Sequence, residues 1–506
     1  MEDSRRRWAA SGVVAGVAGL ATSYATATAL NIRESPVVAV AELVIRLTPG
    51  PVVEGAIQLL GQADKPVLVA GVLLAVGLLF ALAGLLARGG LSRSVLVWLS
   101  LALIGMVAVL RQHGAGPVDV LPVGVGLATW LALHSALVNP LAKGRAHPEL
   151  ASRERRVFLM VAGTVGLAAV AIGLAGRFVG SGRRHVESSR RLLRIEGVTR
   201  RQPPASATVG VPGISPWQTP NEDFYLIHTA ISVPAIEPTD WFVRIHGMVE
   251  RELVVTYDDL LARELTESWV TLTCVSNPVG GDLVGNARWS GVRVAELLAE
   301  AGVLPDADCV RQVSEDGWDC ATPLVALTDG RDAMLAVAMN GHPLPIEHGF
   351  PVRTVVPGLY GFVSATKWLV ELEVTRFDRV EAFWTQRGWS EEGPIKVSSR
   401  IDVPRSGADV PAGELRVGGV AWAQHTGISS VEVALDGGDW IGADVAAPPT
   451  NDTWVQWAAT FEVEPGDHVL RVRARTKTGE LQTGVVRDVM PDGATGWHTV
   501  EFTAQS

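Results

Sequence analysis

Five stretches of this chain do not suit an ordinary soluble core. Residues 8–30, 67–87, 94–110, 118–138 and 157–176 are nearly charge-free and apolar. Each is close to the ~20 residues needed to cross a bilayer core about 30 Å thick. A sixth apolar stretch, 37–60, contains Glu42, Arg46, Glu54 and the break Pro49, Gly50, Pro51. Charge inside a span is costly, so this piece is expected to be interfacial or re-entrant. Charge divides the chain in the same way. Residues 1–201 hold 22 Lys and Arg against 11 Asp and Glu, whereas 202–506 hold 21 against 42. The first part is apolar with basic punctuation. The second is an acidic body that repels phosphate backbones, so no nucleic-acid partner is expected.

The basic punctuation sets an orientation. With the N-terminus inside, the inner segments carry Arg5, Arg6, Arg7, Arg88, Arg93, Lys143, Arg145, Arg153, Arg155 and Arg156. The outer segments carry Arg33, Arg46, Lys65 and Arg111. Cations favour the cytoplasmic side, so five spans place the acidic body outside the cytoplasm, on a multi-pass cell-membrane protein. The fifth span opens with SRERRVFLMVAG, 152–163. The paired arginines before an apolar run resemble a twin-arginine export signal, which serves folded, cofactor-loaded proteins. Arginines anchoring a helix end are the plainer reading.

Four parts are expected: an α-helical membrane bundle over 1–176, a Gly-, Ser-, Arg- and Pro-rich linker over 177–215, an α+β domain over 216–394 and a β-sandwich over 395–506. In the third part, 241–246 and 269–273 alternate like strands, and 292–301 has helical spacing. In the fourth, short alternating strands separated by turn signals point to an immunoglobulin-like sandwich.

Three patches carry the chemistry. VTLTCVSNPVGG, 270–281, puts Cys274 where a strand runs into a glycine-rich loop. A buried, inert thiol is the usual fate of a cysteine. Cys309 and Cys320 flank a turn and could bridge outside the cytoplasm, although hairpin register does not set them opposite. That leaves Cys274 as the odd cysteine, and no CxxC or His pair stands nearby for zinc. HGFPVRTVVPGLYGFVSATKW, 348–368, offers a loop with N–H groups, hydroxyls and Lys367 that could cradle an anion. A structural turn accounts for it equally well. TPNEDFYLIHTAISVP, 219–234, supplies Asn221, Tyr225 and His228.

Together and in this order, the patches resemble the molybdopterin domain of the sulfite oxidase family. The shared residues are Leu272, Cys274 and Asn277, then 340–345, 348–353, 357–361 and Lys367 with Trp368. The resemblance implies that Cys274 ligates the molybdenum of a molybdenum–molybdopterin cofactor. It implies that Asn221, Tyr225, His348, Arg353, Ser364, Ala365, Thr366 and Lys367 hold the pterin and its phosphate. Ser314 is a further implied contact. The implied reaction is two-electron oxygen-atom transfer on a small molecule, and the implied role of the sandwich is dimerisation.

Departures bear on the substrate. Sulfite-oxidising members place arginines where this chain has His228 and Pro278, and a tyrosine where it has Val337. His and Pro cannot hold a dianion as two guanidiniums do. Asp282 and Asn286 near the cysteine motif would make the pocket still less attractive to anions. A neutral or cationic substrate is therefore expected, of the sulfoxide or N-oxide type, with His228 at the catalytic centre and sulfite as the alternative. His113 and His134 lie toward opposite ends of the membrane region and CxxCH is absent, so no intrinsic haem is expected. A separate haem or quinone-linked partner would exchange electrons. A non-catalytic membrane-anchored receptor or adhesin is the competing class, since a sandwich does not fix function.

Overall fold

The computed structural model describes residues 2–30, 32, 34–60, 63–179 and 182–506. Arg33, counted among the outer cations, lies outside the described residues, as do positions 180–181 of the expected linker and the side chain of Glu54. The chain divides into two compact units, Met1–Glu187 with Ala230–Pro234, and Ser188–Thr229 with Ala235–Ser506.

The first unit is helical: α1 (Glu2–Ala29), α2 (Pro36–Leu47), α3 (Gly50–Leu60), α4 (Asp64–Leu86), α5 (Leu91–Leu110), α6 (Leu121–Ala146), α7 (Ala151–Val179) and the start of α8 (Gly182–Leu192). Five helical stretches are long and apolar enough to cross a membrane: Arg5–Ala29, Asp64–Gly89, Leu91–Leu110, Pro117–Ala146 and Ala151–Ile172. They coincide with the five apolar stretches of the sequence. Helices α2 and α3 have 12 and 11 residues. At 1.5 Å per residue neither reaches across a bilayer core. Small residues let α1 and α4 touch backbone to backbone. A Cβ on Gly12 would lie 1.9 Å from the Phe80 carbonyl, and one on Gly84 would lie 2.0 Å from that of Trp8.

The expected linker is more ordered than its composition suggested. Residues 182–192 are helical, and Ser188–Thr229 belongs to the second unit. The Val209 N–H donates to Gln456 Oε1 (3.2 Å) and the Ser215 N–H to Asp402 Oδ2 (2.9 Å). These two anchors are polar, and the apolar ones, Leu193, Ile195, Val198, Ala207 and Ile214, are too irregularly spaced to show a period.

Two sheets build the α+β part of the second unit. Its strands are β1 (Phe242–Gly247), β2 (Leu253–Thr256), β3 (Thr266–Thr273), β4 (Val284–Arg293), β5 (Cys309–Ser314), β6 (Asp319–Pro323), β7 (Met334–Met339), β8 (His342–Pro343), β9 (Arg353–Val355) and β10 (Leu369–Thr375). One sheet runs β2-β1-β10-β5-β6. The other runs β3-β4-β7-β8, with β9 also on β7. The helix Val294–Ala301 buries Val294, Leu297, Leu298 and Ala301, one face of a 3.6-residue period. That face joins Ile245, Leu335 and Leu372 in one core. Cys309 pairs with Pro323 and Cys320 with Gln312. The two cysteines are therefore not opposite, and no disulfide joins them.

The C-terminal part is two facing sheets. One contains Ser398–Val403, Gly413–Trp422 and Val455–Val463, and the other Ile428–Leu435, Gly466–Thr476 and His498–Gln505. Val417 and Trp457 from the first meet Val431, Val472 and Phe502 from the second.

The edge strand β3 is held on both sides. Glu267 pairs with Arg288 of β4 in a nearly buried ion pair, and also accepts from Ser290 and Thr199. Removing one partner strands a desolvated charge. Glu267→Ala is expected to cost about 3–5 kcal/mol, read as a lowered melting temperature of the full-length protein against wild type.

Candidate active site

Strand β3 delivers Cys274 to a tight loop. The Cys274 N–H donates to the Leu283 carbonyl (2.9 Å), and the Asn277 N–H returns to the Cys274 carbonyl (3.1 Å). Asn277 Oδ1 accepts the Leu283 N–H at 2.9 Å. The asparagine of the motif therefore folds the loop that presents the half-buried thiol. Gly280 sits in this loop at φ +78, and a Cβ there would lie 2.1 Å from the His498 ring. Glycine is required at that position by both conformation and space.

A second cluster forms around the β7–β8 hairpin. Met339 pairs with His342, so Asn340 and Gly341 form a two-residue turn, both at positive φ. The Asn340 side chain accepts the Arg288 N–H (3.0 Å) and donates to the Thr219 carbonyl (2.9 Å) and Asn221 Oδ1 (2.8 Å). His348 Nε2 donates to the Asn221 carbonyl at 3.0 Å, and Arg353 Nη1 donates to the His348 carbonyl at 3.2 Å. The motif at 340–353 thus holds Asn221 and the segment that leads to Tyr225. Tyr225 feels both Cys274 and Arg353, and its phenol is pushed up first by burial and then by Cys274. Ser314 ends β5 opposite Leu369, and His228 stands edge-on to Trp368 at 5.7 Å.

Polar atoms in this cluster suit a bound anion and a hydrogen-bonding heterocycle. Arg353 is 3% exposed. Among the described residues its hydrogen-bond acceptors are the carbonyls of His348 and Thr354, with no carboxylate. It lies over Trp289 at 5.0 Å. Burial pulls it down to about 10. His348 is held down at about 3 by burial first, then by Lys367 and Arg353, so it is neutral. Its Nδ1 and the Ser314 Oγ are buried with no hydrogen-bond partner. Such atoms are costly unless something fills the space beside them. An uncompensated cation, an imidazole acceptor and a hydroxyl fit a phosphate-bearing pterin.

The anion cradle expected at 364–367 is corrected in detail. Ser364 and Ala365 donate their N–H groups to the Gly361 carbonyl, and Thr366 donates to Thr354 Oγ1 (2.8 Å). The Ser364 hydroxyl bonds the Tyr360 carbonyl, and that of Thr366 meets Cys320 Sγ at 3.3 Å. This loop shapes the wall, and its charge comes from Lys367, which donates to the Glu347 carbonyl at 2.9 Å. The reading of Asn286 is corrected too. It is fully buried, accepts from Thr271 Oγ1 and donates to the Trp217 carbonyl, so it serves the fold. Asp282 is exposed.

Beside the cysteine loop a cleft is lined by Thr273, Asn277, Pro278, Tyr360, Ser399 and Gln482, with six further uncharged residues. Val337, expected from the resemblance to mark the tyrosine position, is 0% exposed in the core within β7 and is not in the lining of this cleft. Ser399 comes from the C-terminal strand Ser398–Val403 and Gln482 from the loop after Gly466–Thr476, where no sequence motif marked them. Tyr360 lay inside the quoted motif but carried no signal of its own. Its burial pushes the phenol up to about 12.

The profile of the oxidoreductase molybdopterin binding domain family matches residues 230–384. Sulfite oxidase of Gallus gallus is 32% identical over 296 residues, covering 49% of this chain and 64% of that protein. The uncharacterized oxidoreductase YuiH of Bacillus subtilis is 34% identical over 181 residues, covering 36% of this chain and 87% of that one. The sulfane dehydrogenase SoxCD from Paracoccus pantotrophus shares the fold, with a TM-score of 0.51 at 23% identity, over 64% of this chain and 92% of that one. The chain thus spans a little under two thirds of the chicken sulfite oxidase and about half of the human one. It belongs to the sulfite oxidase family and is a molybdopterin-dependent oxidoreductase.

Proposed function

We propose that this chain is a membrane-anchored enzyme with its catalytic body on the outer side, moving an oxygen atom to or from a small neutral substrate of the sulfoxide or N-oxide type. The reading rests chiefly on the uncharged wall beside Cys274, a cleft with room for about one water-sized group, which admits a ligand's oxygen and not its body, and none of whose lining residues carries a charge. Pro278, which is in that lining, and His228 stand where sulfite-oxidising relatives have arginines. A dianion entering such a cleft would lose its hydration and gain no cation.

When bound, the molybdenum cofactor supplies two-electron oxygen-atom exchange. Cys274 would give the thiolate ligand, a soft donor suited to a transition metal. Arg353 and Lys367 would neutralise the pterin phosphate. Asn221, His348 and Ser314 would bond the heterocycle, and Tyr225 would close the pocket between the phosphate and metal ends. In this reading the membrane region is 1–176, the catalytic domain 216–394 and the immunoglobulin-like sandwich 395–506, with the sandwich as the dimer contact. The five apolar helices anchor the chain, and a separate haem or quinone-linked protein exchanges its electrons. The arginines at 155–156 would serve twin-arginine export.

Purified protein assayed with redox dyes is expected to turn over aryl sulfoxides or amine N-oxides and to show little activity with sulfite. Sulfite oxidation faster than turnover of any neutral oxide would sink the substrate assignment. Cys274→Ser is expected to lose turnover and most of its molybdenum by elemental analysis, at wild-type yield. Arg353→Met should retain Cys274 yet lose pterin. Cofactor content near wild type in that variant would remove the phosphate from the pocket at Arg353.

A further inference from the structure

We infer that Tyr360 is a substrate-binding hydroxyl of this site, donating a hydrogen bond to the oxygen of a neutral oxide when that oxygen enters the water-sized cleft beside Cys274 and the body of the ligand stays outside it. Three observations meet at this residue. First, Tyr360 lines the cleft together with Thr273 and Asn277, the neighbours of the cysteine. Second, its hydroxyl end is placed. The Lys396 N–H donates to Tyr360 Oη at 3.4 Å, and a Cβ on Gly493 would lie 2.7 Å from that oxygen. Ser398 and Ala494, close along the chain to those two residues, line the same cleft. Third, the hydroxyl accepts from Lys396, but among the described residues its own proton has no acceptor. A buried O–H without an acceptor is costly, and a ligand oxygen in the cleft would satisfy it.

The chemistry selects the ligand. A phenol is a neutral donor, so it matches a dipolar S–O or N–O acceptor without requiring a counter-charge, and the other lining groups are uncharged as well. In this chain the family tyrosine position holds Val337, buried in the core. Tyr360 brings a phenol to the site from a different element, the turn at 357–361. The role is binding and orientation, and no covalent bond is made or broken at the hydroxyl. The inference rests on the neutral-oxide reading above.

The test uses the full-length, cofactor-loaded protein in its oxidised state, where an oxide substrate is not consumed. Binding of methyl phenyl sulfoxide and of methyl phenyl sulfide is measured by calorimetry for wild type and Tyr360→Phe. The sulfoxide is expected to bind the variant about tenfold more weakly, the value of one hydrogen bond, with sulfide binding unchanged and KM raised by the same factor more than kcat falls. Equal sulfoxide binding by the two proteins overturns this inference and leaves the proposed function standing. Equal weakening for sulfoxide and sulfide marks a packing effect and also overturns it. Failure of wild type to bind any neutral oxide overturns both. Should Tyr360→Phe lose molybdenum, Gly493→Ala, whose Cβ crowds the hydroxyl, must show the same selective loss or the inference falls.

Discussion

Everything at the site depends on how one edge strand is finished. Strand β3 is the open edge of its sheet, and an open edge invites pairing with anything that passes. Here loops of the C-terminal part cover it. The Thr271 N–H donates to the Asp452 carbonyl at 2.9 Å, and the Trp454 N–H donates to Thr271 Oγ1 at 2.8 Å. Gln424 Nε2 reaches the Thr271 carbonyl (3.0 Å) and Thr273 Oγ1 (2.9 Å). Trp217 and Trp454 exchange indole-to-carbonyl bonds just behind. The residue after this clamped strand is Cys274. The thiol is therefore positioned jointly by the catalytic and C-terminal parts, and the cleft beside it is built from both.

This joint construction explains what could be read in advance. The spans were legible because a bilayer imposes length and apolarity on contiguous residues. The cysteine, its Asn277 and the 340–353 motif were legible because they sit in short runs of chain with fixed spacing. The helix Val294–Ala301 announced itself by its 3.6-residue period. By contrast, Ser399 and Gln482 reach the cleft only through tertiary packing of strands more than a hundred residues away, and nothing in their local sequence distinguishes them from other sandwich polar groups.

The errors are equally physical. Residues 188–215 read as linker because they lack apolar periodicity, but scattered apolar side chains such as Leu193, Ile195, Ala207 and Ile214 pack into the cores beside their polar bonds. Asn286 looked like a pocket residue because it lies near the cysteine motif, yet strand alternation turns it inward to Trp217 and Thr271. The hydroxyls of Ser364 and Thr366 looked available for a ligand. Ser364 donates to the Tyr360 carbonyl instead, while the Thr366 hydroxyl meets Cys320 Sγ, where either atom can be the donor, and the charge at this wall is that of Arg353 and Lys367.

Arg353 carries one more consequence. A guanidinium sealed from water, with no carboxylate among its hydrogen-bond acceptors in the described residues, is costly in the polypeptide alone. Ligand binding to a folded state stabilises that state by mass action. The phosphate that discharges Arg353 would thus tighten the native ensemble as well as fill a pocket. An unloaded chain would breathe more at this wall and meet proteases more often.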